Sequence, residues 1–161
     1  MYLKHWGLRE TPFDHASDER FFFVSRQHGA AHARLNYAAS EKKPVALLSG
    51  EYGSGKTMVC RALKADLPSH SFQVTHVQNP LLPAEDIFGE ILRQSLETTK
   101  LPASKAELLR LLREVFMRNA GLGKHNVVII DEAHLIDDLS VFNELRMLLN
   151  YQHRSELLLS L

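Results

Sequence analysis

The octapeptide GEYGSGKT at positions 50–57 restricts the fold of this chain more than any other stretch. It follows VALLS, a short apolar run behind Pro44, and it leads into KTMVCRALKADL, whose apolar residues recur at helical spacing before Pro68. A brief apolar run bounded by Pro and Gly predicts a buried strand. The pattern Gly-x-x-x-x-Gly-Lys-Thr between a strand and a helix is a phosphate-binding arrangement. Gly50, Gly53 and Gly55 allow positive φ and close approach of the backbone to a phosphate. Backbone N–H groups over 51–57 then turn inward as an anion nest at the positive end of the helix. The predicted cradle is Gly50, Glu51, Tyr52, Gly53, Ser54, Gly55, Lys56, Thr57 and Met58. Lys56 is expected to reach the β- and γ-phosphates, and Thr57 to offer its hydroxyl to magnesium.

The remaining pattern sets the class. Residues 1–25 mix aromatics with turn formers (Trp6, Gly7, Pro12, Phe13, Asp14 and FFF at 21–23) and predict an irregular arm. A helix is expected from about Gln27 to Ser40, and SFQVTHVQ alternates as a second strand. Pro83 and the acids after it suit the start of a helix over PAEDIFGEILRQSLE. SKAE at 104–107 reads as a capping box for ELLRLLREVFMRN, closed by Gly121 and Gly123. NVVIIDEA is a third strand, apolar on both faces as a central parallel strand is. LSVFNELRMLLNYQ predicts a helix and ELLLSL a fourth strand. Strands alternating with helices imply parallel pairing in a three-layer α/β/α sandwich of the P-loop NTPase kind. The expected division is an arm and helix over 1–43 and a nucleotide-binding core over 44–161.

Phosphate chemistry needs a carboxylate at the end of a neighbouring strand. VVIIDE at 127–132 supplies it. Asp131 is expected to hold magnesium, through a water, and Glu132 to orient or deprotonate the attacking water. The plainer alternative is a strand end whose acids cap the following turn.

Bulk properties exclude more than they select. The 161 residues suit one domain with a real core. Nineteen basic and nineteen acidic side chains cancel, so no global charge argues for nucleic acid or an acidic membrane. One cysteine, Cys60, excludes an internal disulfide and fits a reducing compartment. The start MYLKHWGLRE has no apolar segment of the secretory kind, and no stretch approaches the roughly 18 apolar residues of a membrane span. A cytoplasmic protein is the expectation.

DEAHLI after the third strand, ELRMLLN on the next helix, and the lead-in WGLRETPFD…FFFVSRQHGAAHARL resemble the AAA+ ATPases of the general secretion pathway protein A type, which act in type II secretion and pilus biogenesis. The resemblance spans nearly the whole chain; ETPF and SRQH point to this subgroup, and transposition-associated AAA+ ATPases are similar in the core. It implies ATP and Mg2+ as cofactors, and a homo-oligomer or a secretion-system partner. It also implies that Asn79, in VQNP, restrains the catalytic glutamate, with an Asn-Pro turn as the simple alternative. Phe23 to His28 become a candidate base pocket, with packing of the arm as the alternative. The resemblance places the fourth strand between the first and third. The family's sensor residue, fifth strand and lid have no counterpart before Leu161, so the chain reads as a fragment, with the cytoplasmic part of a longer inner-membrane protein as one form the resemblance allows. Nothing in the sequence assigns Arg146 or Arg154 as an arginine finger.

Weaker signals carry simpler readings. His28 and His32, four apart on a helix, could share a face, but a zinc site needs further ligands. His134 could sense the γ-phosphate, though a solvated strand-end histidine suffices. Cys60 reads as a small buried apolar residue. Lys105, Arg110, Arg113, Arg118 and Lys124 read as a charged solvent face, with DNA as the sharper and less favoured alternative. A nucleotide-binding interaction module with negligible turnover remains a third functional class.

Overall fold

The computed structural model describes residues 2–11 and 22–161. Pro12, Phe13, Asp14 and Phe21, with much of the expected arm, lie outside the described residues. What is described of the arm begins with a short helix, α1 (Tyr2–Trp6), where irregular chain was expected. Then follow α2 (Arg26–Ser40), α3 (Lys56–Asp66), β1 (Phe72–Val77), α4 (Ala84–Leu96), α5 (Lys105–Gly121), β2 (His125–Ile130), α6 (Leu139–Leu148), β3 (Gln152–His153), β4 (Glu156–Leu157) and β5 (Leu159–Ser160).

β1, β2 and β5 form a parallel sheet in the order β1-β2-β5. The period of two along β2 separates the layers. Val128 and Ile130 meet α4, α5 and α6, where Ile87, Phe88, Ile91, Leu92, Leu112 and Leu148 are fully buried. Val127 and Ile129 meet α2 and α3 through Ala39, Leu63 and Leu67. Helices on both faces of a parallel sheet make the α/β/α sandwich of a P-loop NTPase.

The first strand departs from expectation. Residues 45–49 are extended but form no regular strand, and they are not buried: Val45 is 55% and Leu47 86% exposed. Ala46 N–H donates to the Leu161 carbonyl at 2.8 Å, and Leu161 N–H to the Pro44 carbonyl at 2.9 Å. Those two bonds are one rung of a parallel ladder, and among the described residues positions 47–49 have no ladder partner. The rung nevertheless sets the expected order, with β5 between β2 and the segment leading into the loop.

Smaller differences have local causes. The last predicted helix ends at Leu148 rather than Gln152, and ELLLSL is divided. Gln152–His153 and Glu156–Leu157 pair as an antiparallel hairpin whose turn holds Arg154 and Ser155 at φ +51° and +68°. Two successive positive φ values match the twist of a two-residue hairpin, although such turns usually use Asn or Gly. Ser104 occupies the N-cap of α5 without a side-chain hydrogen bond, so the expected capping box is not formed. Inside the sheet, buried Asn126 is satisfied by donating to the Leu158 carbonyl at 2.7 Å and accepting from Asn119 at 2.7 Å. No helix among the described residues is long and apolar enough to cross a membrane.

Candidate nucleotide site

α3 starts abruptly at Lys56. Its N-cap is Gly55, at φ +85°, with no side-chain cap. The first N–H groups of the helix are therefore open to an external acceptor. Gly53 has φ +74°, but Gly50, expected to share this geometry, does not. Its requirement is spatial: a Cβ there would stand 2.9 Å from Ser54 Oγ. Lys56 folds back over the loop, and its Nζ donates to the Gly50 and Glu51 carbonyls at 3.1 and 3.0 Å. Tyr52 is 98% exposed at the tip. Thr57 and Met58 are half-buried at the start of α3.

The strand β2 delivers the carboxylates. Asp131 is buried; its N–H donates to the Val77 carbonyl at 2.9 Å, continuing the β1–β2 ladder by one rung. Its Oδ1 accepts from Glu132 N–H at 3.0 Å. Glu132 is in the left-handed region, φ +51° and ψ +34°. A non-glycine residue there is strained by about 1 kcal/mol or more. Its Oε2 lies 3.4 Å from Nδ1 of the exposed His134. A cavity of about 620 Å³ joins the two halves of the site: Gly50, Tyr52 and Lys56 on one side, Asp131, Glu132 and His134 on the other.

Other residues behave differently. Asn79 lines a separate cavity of about 600 Å³ beside β1. Its Oδ1 accepts from Leu81 N–H at 3.2 Å, the local turn expected of Asn-Pro, and among the described residues no hydrogen bond joins it to Glu132. Phe23 and Val24 are exposed, at 81% and 64%. His28 and His32 diverge: His28 turns to the glycine loop, and His32 Nε2 lies 3.0 Å from Asp66 Oδ2. Lys105 sits 3.1 Å from Glu85 and 2.6 Å from Glu144, and Arg110 pairs with Glu114, so acids answer two members of the basic run. Burial, then the nearby Asp131 charge, pushes the Cys60 thiol up to about 11, leaving it unreactive.

Two residues near the carboxylates escaped sequence reasoning. His76 on β1 is buried with Nε2 3.5 Å from Asp131 Oδ2. Burial pushes its imidazole below the ordinary range, and the Asp131 charge opposes that shift. The neutral ring is thus the resident form at neutral pH. A polar residue one before the end of the strand adjoining β2 was the available signal. Arg146 of α6 lines the main cavity with Glu132, and the helical register of α6 alone did not reveal that.

Residues 39–161 match the AAA domain family. The chain belongs to that family. It is also 34% identical over 153 residues to the General secretion pathway protein A of Aeromonas hydrophila, covering 94% of this chain and 27% of the relative. The chain therefore spans about a quarter of the length of that relative. No solved structure matches it.

Proposed function

We propose that this AAA domain binds ATP with Mg2+ and hydrolyses the β–γ phosphoanhydride, and that turnover serves assembly of a secretion or pilus apparatus, within a homo-oligomer or with a secretion-system partner. The carrying observation is the shared cavity. It brings a lysine ammonium, a left-handed glutamate and a buried aspartate around one space behind an uncapped helix terminus.

The residues suit the group. Lys56 now rests on two neutral carbonyls, and a phosphate oxygen is a stronger, charge-assisted acceptor. The nine residues Gly50 to Met58 form the cradle, with the loop N–H groups as donors. Thr57 and Asp131 supply the hard oxygen ligands that suit magnesium. When bound, that ion offsets the charge on the phosphates. Glu132 takes a proton from the water that attacks the γ-phosphorus in line with the departing ADP oxygen. Lys56 neutralises charge on the transferred group. Asn79 is proposed as the restraint on Glu132, a role that requires it to leave its bond to Leu81. The name of the Aeromonas relative supports the secretion setting. The proposed place of action is the cytoplasm, or the cytoplasmic side of an inner membrane. DNA is not favoured, because acids answer Lys105 and Arg110.

The test is thermal unfolding with and without Mg-ATP beside Lys56→Ala, followed by phosphate release beside Glu132→Gln. Stabilisation lost in Lys56→Ala and release lost in Glu132→Gln support the reading. Stabilisation without release, even with a partner added, supports an interaction module with negligible turnover. A folded chain indifferent to Mg-ATP refutes both.

A further inference from the structure

SRQH at 25–28 closes a contact between the start of α2 and the glycine loop. Ser25 is the N-cap of α2, and its Oγ accepts from His28 N–H at 3.2 Å. That cap fixes His28 one turn into the helix. Its ring then reaches 26 residues along the chain: Nε2 lies 2.9 Å from the Ser54 carbonyl oxygen. Nδ1 faces the Phe23 carbonyl oxygen at 3.3 Å, and the Phe22 ring is tilted against the imidazole with centroids 5.8 Å apart. Both carbonyls can only accept, and the shorter contact, 2.9 Å against 3.3 Å, favours the hydrogen on Nε2, donating to Ser54.

The consequence lies in the peptide unit joining Ser54 to Gly55. In a trans peptide the C=O and the following N–H point in opposite directions. Tying the Ser54 carbonyl to His28 turns Gly55 N–H away from the ring. Among the described residues that N–H has no hydrogen-bond acceptor. The ring sits directly over Gly55, where a Cβ would stand 3.1 Å from Nε2. With φ of +85° and no side chain, Gly55 would otherwise let this peptide rotate.

We propose that His28 is a positioning residue for the phosphate cradle: its Nε2–H holds the Ser54 carbonyl so that Gly55 N–H stays available to a phosphate oxygen. The inference rests on the nucleotide reading above and adds that α2 contributes to phosphate binding without touching the phosphate. The ligand class is any oligophosphate that fills the loop, with or without a base.

The test compares wild type, His28→Phe and His28→Gln for binding of Mg-ATP and of inorganic tripolyphosphate with Mg2+. Phenylalanine keeps bulk and removes the donor; glutamine keeps a donor of similar reach. The expected result is a loss of about tenfold in affinity for both ligands in His28→Phe, the scale of one positioned hydrogen bond, with His28→Gln retaining most of the affinity. Unchanged tripolyphosphate binding in His28→Phe overturns the inference, and so does an equal loss in both variants. Wild type that is folded yet binds neither ligand refutes the nucleotide reading and this inference with it. One further measurement needs no variant: the ¹⁵N signals of the His28 ring in unliganded wild type. Hydrogen on Nε2 is expected; a ring carrying hydrogen on Nδ1 alone overturns the inference.

Discussion

The two faces of the sheet are built on different terms. Against α4, α5 and α6 the core is continuous: Ile87, Phe88, Ile91, Leu92, Leu112 and Leu148 are inaccessible to solvent. Against α2 and α3 only Ala39, Leu63, Leu67 and Val127 form a buried apolar cluster. The rest of that face holds polar groups that meet across layers: His28 reaches the loop, and His32 and His76 lie 3.0 and 3.5 Å from Asp66 and Asp131 without a formed hydrogen bond. Apolar burial scales with area and is insensitive to small displacements, whereas polar links depend on angle and on ligands. One face thus supplies most of the stability, and the other can respond to an anion without costing the fold. Substitutions are expected to separate accordingly.

The largest effect tests the stable face. Phe88→Ala should cost about 3–5 kcal/mol, because the cavity left under α4 cannot collapse onto a β-sheet. Urea unfolding measures it, and a cost below about 1 kcal/mol would break the comparison. Lys56→Ala tests the other face. It should leave unfolding in the absence of nucleotide within about 0.5 kcal/mol of wild type. It should also abolish the stabilisation by Mg-ATP, about 2.7 kcal/mol at a hundredfold excess over the dissociation constant. A large loss of intrinsic stability in Lys56→Ala would show that the loop is part of the core.

The same contrast explains what was legible in the sequence. Helix α4 and helix α5 announce themselves because a deep apolar stripe imposes its period directly on the residues: Leu108, Leu112, Val115 and Phe116 are spaced as one helical face. The glycine loop and the acids of VVIIDE were legible as a candidate site because each departs sharply from the apolar run before it, and the structure brings both to one cavity. The run VALLS predicted a buried strand, since the pattern cannot say whether both neighbouring strands are present; among the described residues only the rung to Leu161 forms. Arg154 and Ser155 conceal a hairpin because the positive φ values fall on residues that seldom adopt them. His28 and His76 were hidden for another reason. Their partners, Ser54 and Asp131, are distant in sequence, and no local spacing encodes a contact made across layers.

Acidification probes a polar link on the weaker face. His125 is buried, its Nε2 2.9 Å from Ser160 Oγ. Burial, helped by the Lys42 charge, lowers its pKa from the ordinary 6.5 to about 4. The unfolded chain therefore takes up a proton at a pH where the native state does not. Stability from this group is complete above 6.5 and is lost as pH falls from 6.5 toward 4. Between pH 7 and pH 5 the loss should be about 2 kcal/mol, read from urea midpoints, and His125→Phe should flatten that slope. An unchanged slope would place the acid sensitivity elsewhere.

The smallest expected effect lies at Glu132, where stability and function should part. Its φ of +51° is tolerated only because the turn after β2 and the Asp131 carboxylate hold the backbone there. Replacing it with glycine removes the Cβ clash and leaves the contacts of Asp131 in place. The added chain entropy of glycine takes back part of the gain, so Glu132→Gly should unfold about 0.5–1 kcal/mol later than wild type. The same variant lacks the carboxylate proposed to receive the water's proton, so phosphate release should fall while Mg-ATP binding persists. A variant both more stable and inactive would mean that the strain is kept for aiming the carboxylate into the cavity with Lys56. A variant less stable than wild type would mean that the carboxylate itself, through its approach to His134, contributes more to the fold than its backbone costs.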